Sequence, residues 1–458
     1  MAAMLELAES ASEVSSDDSI FDSDVETSDD EEFNGIPILM TAANIAKNII
    51  GEGILSLPKG LADTGMVSGV LITLVFYAVM VYTFWTLGRV CEATNEKSHR
   101  GMGNKVTEGV VFGNVMAATN LLKTLFTCTA YALVIGRNAE DILAPLNSNS
   151  WFCSKRGSWV TILLCILLPL CLLRDMGKLA WTSFLGLLCE TGVVCFMTWR
   201  LLDGSYQVGG EFYGSQTSET RVHWDEGGPQ FWTVSPGTLT LVSSMSTAFL
   251  AHYNAPKFYH QLRKRSSRRF FTASSLSFTC ALVLFLTCML VGYLTFGQAC
   301  QGNILHNYSE RDPGAAVSRF AMLLAVTFGF PIAFTGLRDS ALSLFSCSSR
   351  RRVWVPLTLG LLTLIGALGW SLDDLGALNS LGGAILGSLI TLIFPGLLLS
   401  WAYSYSLSDS DLDWKDDALL FWRVEGTFVG HVLVAVGSLL LVFGTLVVVL
   451  KDFLHKDI

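Results

Sequence analysis

Apolar residues run through this chain in blocks of about 18–25, the length an α-helix needs to cross ~30 Å of hydrocarbon. Eleven such blocks predict spans at residues 36–60, 66–90, 113–142, 158–174, 178–201, 237–260, 269–297, 315–343, 353–371, 376–403 and 427–450, numbered 1 to 11 below. A soluble protein with buried helices would show shorter blocks and a polar face on most of them. The expected fold class is an all-α membrane protein with about eleven transmembrane helices. Its transmembrane domain fills residues 35–450, between a tail at 1–34 and a short C-terminal tail at 451–458.

Composition agrees and removes one false lead. The 458 residues are 51% hydrophobic and 15% charged, where a soluble domain carries about 25% charged residues; mean hydropathy is +0.48. The net charge of −9 is largely local. Asp17, Asp18, Asp22, Asp24, Glu26, Asp29, Asp30, Glu31 and Glu32 crowd into the first 34 residues among serines. That stretch is too polar to bury apolar area against its ordering entropy, so a disordered cytosolic tail is expected there. It has no basic region followed by an apolar core, as a signal peptide would. Phosphorylation by an acid-directed kinase, sorting and plain solvation all remain open for it.

Lys and Arg fix an expected orientation. With the N-terminus in the cytosol, Arg263, Lys264, Arg265, Arg268, Arg269 and most other short-loop cations face the cytosol, as the positive-inside rule requires. The sequon Asn307-Tyr308-Ser309 then faces the other side and makes Asn307 a glycosylation candidate. Cys153 and Cys300 share that face and form a candidate disulfide. Most of the eleven cysteines lie inside apolar blocks, and the chain has no Cys/His metal spacing, phosphate loop or nucleophile elbow. No metal, cofactor, nucleic acid or enzymatic activity is expected.

Two spans are interrupted. Span 1 contains Asn44-Ile-Ala-Lys47-Asn48-Ile-Ile-Gly51-Glu52-Gly53-Ile-Leu-Ser56-Leu-Pro58. A charge at mid-membrane costs several kcal/mol even on lenient insertion scales, of order 3 kcal/mol, and unwound backbone survives only against protein or a wet cavity. Span 6 contains Ser243-Ser244-Met-Ser246-Thr247-Ala-Phe249-Leu-Ala-His252-Tyr253-Asn254-Ala-Pro256, where Pro256 is expected to break the ladder. Spans 1 and 6 open two five-helix halves, and interruptions at matching places in two halves mark a transporter's midplane site. Free N–H groups at such a break can hold a carboxylate, and freed carbonyls an ammonium. A zwitterionic amino acid matches both.

Several motifs, taken in order, make the chain resemble the amino acid/auxin permease family, in particular its vacuolar and proton-coupled amino acid transporters. They are Lys47-Asn48-Ile-Ile-Gly51-Glu52-Gly53-Ile-Leu-Ser56-Leu-Pro58, Ala251-His252-Tyr-Asn-Ala-Pro256-Lys-Phe-Tyr259 and Gly292-Tyr293-Leu-Thr-Phe296-Gly297. Asn303 to Ser309, Ala325-Val-Thr327-Phe-Gly329-Phe-Pro331 and Phe394-Pro395-Gly396, the last closing span 10, complete the set. The resemblance covers about residues 35–450 and implies a LeuT-like 5+5 inverted repeat. Repeat one would be about 36–201, repeat two about 237–403, with an extra helix at about 427–450.

The resemblance implies a secondary active amino acid transporter working by alternating access. Substrate would bind Asn48, Gly51, Glu52, Gly53, Phe249, His252 and Asn254 at the breaks, with Thr124 and Thr127 from span 3. Lys123 has an open role. Ion coupling would involve Lys47, Glu52, His252 and Thr327. Sodium-coupled members carry Asn at the position of Lys47 and a second hydroxyl at that of Gly329, so the resemblance favours H⁺ over Na⁺. Glu52 departs from the family, which has Ser or Thr there. It is expected to carry the coupled proton (or His252 does), to neutralise Lys47, or to select cationic substrates. Arg338 and Asp339 are expected to form a gating or structural pair, and Asp373 and Asp374 to be solvated. An amino acid sensor signalling through the acidic tail and a sodium-coupled symporter are the alternatives. The expected location is a vacuolar, lysosomal or plasma membrane.

Overall fold

The computed structural model describes residues 35–143, 150–172, 180–217, 220–221, 229–233, 235–344, 351–372, 374–408 and 425–450. The acidic tail, Asp373 and residues 451–458 lie outside them.

The chain enters through α1 (Ile38–Ile49), leaves helical geometry at Ile50 and Gly51, passes a 3₁₀ turn at Glu52–Ser56 and resumes in α2 (Leu57–Thr64). After α3 (Met66–Thr94) comes α4 (His99–Thr107), a short polar helix. Hydropathy gave no sign of α4, because nine residues with a mostly polar surface fall below any membrane-span signal. The first repeat closes with α5 (Val110–Leu143), α6 (Lys155–Leu172) and α7 (Ala180–Asp203).

The second repeat begins with α8 (Gly237–Ala248), a 3₁₀ turn at His252–Asn254 and α9 (Ala255–Gln261). It continues through α10 (Ser267–Phe296), α11 (Pro313–Leu344), α12 (Arg351–Ser371) and α13 (Leu375–Trp401), and α14 (Gly430–Val448) follows. Among the described residues, nine helices are long and apolar enough to cross a membrane. Spans 1 and 6 add two more, each in two pieces.

The two broken spans are built alike. Their first halves, α1 and α8, each have 12 residues. Their second halves, α2 and α9, each carry a proline in the first turn, Pro58 and Pro256. A proline there has no N–H to leave unsatisfied and its fixed φ suits a helix start. Pro256 therefore begins a half-helix, and the interruption lies upstream, at Phe249–Asn254. Phe394-Pro395-Gly396 likewise does not end span 10. Two π-turns, Gly383–Gly387 and Leu389–Ile393, precede Pro395, and the helix runs on to Ser408.

Around the breaks, α11 packs against both α5 and α7, α8 lies against α2 and α13, and α10 against α1 and α3. At the end where α1 begins, backbone pairs the two broken spans. The Ile36 N–H donates to the Gln261 carbonyl (2.8 Å) and the Arg263 N–H to the Ile36 carbonyl (2.9 Å), a parallel bridge of Ile36 with Leu262. At the opposite end the Arg200 guanidinium forks onto Asp312 at 2.8 and 2.5 Å, and the Tyr206 hydroxyl donates to the same carboxylate (2.9 Å). This anchors the start of α11 to the end of α7.

Two expectations concern residues at that end. Cys153 and Cys300 are free thiols; Cys300 is buried and donates to the Gly292 carbonyl (3.5 Å), while Cys153 sits in the Trp151–Cys153 turn. Asn307 is buried, its amide donating to the Ala299 carbonyl (2.7 Å) and accepting from the Gln301 N–H (2.9 Å).

Candidate substrate site at the two helix breaks

The breaks touch. A Cβ added to Gly53 would lie 3.1 Å from the Cα of Ala248, the last residue of α8, so glycine is what lets the two backbones meet. The Asn48 side-chain oxygen accepts from the Tyr253 hydroxyl (3.0 Å) and from the Asn254 amide (2.9 Å), joining the end of α1 to the 3₁₀ turn of span 6. Below Gly53, the Ser56 hydroxyl donates to the Gly53 carbonyl (3.0 Å), and Thr247 donates to the Asn379 carbonyl of α13 (2.7 Å). The 3₁₀ turns at Glu52–Ser56 and His252–Asn254 open after non-helical backbone, so their leading N–H groups have no preceding helical turn to bond to.

Tyr131 of α5 closes one side. A Cβ on Gly51 would meet its hydroxyl at 3.2 Å, and one on Gly329 of α11 would meet its ring at 3.6 Å. Sequence reading did not single out Tyr131. The available signal was spacing, since Lys123, Thr127 and Tyr131 recur every four residues along one face of α5.

The charged groups form two couples. Glu52 and Lys123 are both buried and within electrostatic reach of each other across the break. Lys47 does not pair with Glu52; its ammonium sits 2.9 Å from a carboxylate oxygen of Glu190 on α7. Glu190 also escaped sequence reading, because a single acid in an apolar block, 143 positions from its partner, carries no local pattern.

The remaining candidates are placed as follows. Phe249 is buried with its ring edge-on to Phe285 of α10 (centroids 4.9 Å apart). The His252 ring is turned towards α3, 2.9 Å from the Thr83 hydroxyl and edge-on to Phe84 at 5.4 Å. Its backbone carbonyl meets His99 Nε2 of α4 at 2.9 Å. The Thr124 hydroxyl donates back to the Asn120 and Leu121 carbonyls of its own helix (2.9 and 3.0 Å), whereas Thr127 is half-buried on the same helix. Thr327 of α11 is buried with its hydroxyl unpartnered. Far from the breaks, Arg338 lies 4.2 Å over the Trp354 ring and donates to the Cys171 carbonyl (2.9 Å), while Asp339 is exposed. Asp374 accepts from the Ala377 N–H (3.1 Å) and caps α13.

Comparison with known proteins agrees with this architecture. A family model described as transmembrane amino acid transporter protein matches residues 34–441. The chain is 24% identical over 376 residues to sodium-coupled neutral amino acid symporter 2 of Danio rerio, covering 78% of this chain and 73% of that one. The fold superposes on the crystal structure of MhsT in complex with L-phenylalanine with a TM-score of 0.60 at 13% identity, covering 90% of this chain and all of the other. The LeuT-like fold is thereby shown.

Proposed function

The chain belongs to the transmembrane amino acid transporter family, and we propose that it carries a neutral amino acid by alternating access, coupled to protons. The observation that supports this most is the contact of the two breaks, Gly53 against Ala248 and Asn48 against Asn254. In this reading the substrate carboxylate takes the N–H groups at Gly51–Gly53, with the Tyr131 hydroxyl beside it. The substrate ammonium takes main-chain carbonyls of the interrupted stretch at Phe249–Ala251, outside regular helix. Thr127 lines the α5 side.

Glu52 and Lys123 favour a neutral substrate because their charges balance across the site, so neither a cationic nor an anionic side chain finds an uncompensated partner. The preference for protons rests on Lys47, an ammonium paired with Glu190 and bordering the space at Gly186 that the Ala325 carbonyl of α11 also borders. The relative named a sodium-coupled symporter favours the rival reading, Na⁺ symport. The N-terminus is cytosolic in this proposal, in a vacuolar, lysosomal or plasma membrane, and a sensor role would use the acidic tail.

Purified protein in liposomes, with radiolabelled amino acids and an imposed gradient of either pH or Na⁺, tests all of this. Accumulation driven by the pH gradient alone is expected. Accumulation that needs Na⁺ and ignores pH replaces the coupling ion, and binding without uptake favours the sensor.

A further inference from the structure

Glu190 sits on α7 with only 2% of its surface exposed. One carboxylate oxygen accepts from Lys47 at 2.9 Å; the other is buried without a hydrogen-bond partner. A buried carboxylate is costly unless both oxygens are satisfied. This one is half-satisfied, and its free oxygen is a ready acceptor.

A glycine at 186 is what lets the ammonium sit where it does. One turn before Glu190, a Cβ on Gly186 would lie 3.0 Å from Lys47 Nζ and 3.6 Å from the Ala325 carbonyl of α11. The ammonium and that carbonyl thus border the same small space, with a carboxylate on one side and a main-chain acceptor on another. The charged and titratable groups facing Glu190 are Lys47 from α1, Glu52 from the break, Tyr131 from α5 and Cys189 from its own helix. Lys47 is the cation among them.

The other candidates fit the task less well. The His252 ring is held by Thr83 among aromatic rings on the α3 side. Glu52 belongs to the substrate site itself.

We infer that Glu190 carries the coupled proton, an assignment that rests on the proton-coupled reading above. A proton from the entry side adds to the free oxygen and leaves a neutral carboxyl. Lys47 keeps its own proton, loses its counter-charge and turns to the Ala325 carbonyl. The tie of α1 thus passes from α7 to α11, and release of the proton on the other side restores the original pair.

The test compares wild type with Glu190→Gln in liposomes, using the radiolabelled amino acid that wild type accumulates most. Glu190→Gln is expected to lose pH-gradient-driven accumulation, falling to the level without a gradient, while exchange of labelled for unlabelled substrate persists. Gradient-driven accumulation by Glu190→Gln with the wild-type pH profile overturns the assignment. Wild type indifferent to pH overturns the underlying coupling reading, which is a different result. If Glu190→Gln loses exchange as well, Glu190→Asp decides. Its shorter carboxylate keeps the proton but strains the contact with Lys47, so the pH profile of uptake must shift; an unshifted profile sinks the proposal.

Discussion

Asn48 at the end of α1 accepts a 2.9 Å hydrogen bond from Asn254 in the turn of span 6, so the two broken helices are joined side chain to side chain where both lose their backbone ladder. The same oxygen also serves Tyr253.

Asn48→Ala would leave the half-buried Tyr253 hydroxyl and Asn254 amide without that acceptor, at about 1 kcal/mol for each hydrogen bond lost. A lower unfolding temperature in detergent and a raised KM for uptake are expected. Asn48→Asp, which keeps the acceptor, should recover part of both. Wild-type KM in Asn48→Ala would show that the clamp does not shape the site.

Gly53→Ala should abolish or strongly reduce transport while the protein still reaches the membrane. The new methyl meets backbone at Ala248, which cannot step aside as a side chain can, so the breaks must separate. Gly192→Ala is the control: nothing lies within 4 Å of its Cβ position, and uptake should be unchanged.

Lys47→Met alone strands the buried Glu190 carboxylate, at a cost of about 3–5 kcal/mol, and Glu190→Leu alone leaves the half-buried Lys47 ammonium without its partner. The double variant removes both charges and should regain thermal stability close to wild type. Gradient-driven uptake should stay lost in all three. A double variant no more stable than the singles would mean the pair is not an isolated unit.

Acid should destabilise the fold through two histidines outside the spans. Burial holds the His99 imidazole down at about 4 from an ordinary 6.5, against the raising effect of its bonds to the His252 and Tyr253 backbone. Burial, aided by Arg137, Arg319 and Lys155, lowers His306 to about 3. Between those values and 6.5 the unfolded chain binds protons that the folded one refuses. Stability is therefore fullest above about pH 6.5 and falls as pH drops towards 4. His99→Gln should flatten that slope in thermal unfolding measured across pH.

What could be read from the chain follows the length scale of each signal. The long spans were legible because some twenty apolar residues in a row have few other uses. The break in span 1 was legible because Gly51-Glu52-Gly53 is expensive in lipid. The partner of Lys47 was not, since Glu190 is isolated in its block and the pair exists only once α1 meets α7. Tyr131 was hidden for a different reason: aromatic residues are common in these spans, and only proximity to Gly51 distinguishes this one. The sequon at Asn307 was read correctly as a pattern, yet its amide is spent on neighbouring backbone.

The pairing of Ile36 with Leu262 bears on how this end of the molecule tolerates mutation. Its donors and acceptors are peptide groups, so replacing either side chain leaves them intact, and proline at 36 or 263 is what would delete a donor. Such a seal is indifferent to side-chain drift over evolutionary time. At about 0.5–1.5 kcal/mol net for each hydrogen bond, it is also weak enough for thermal motion to unfasten.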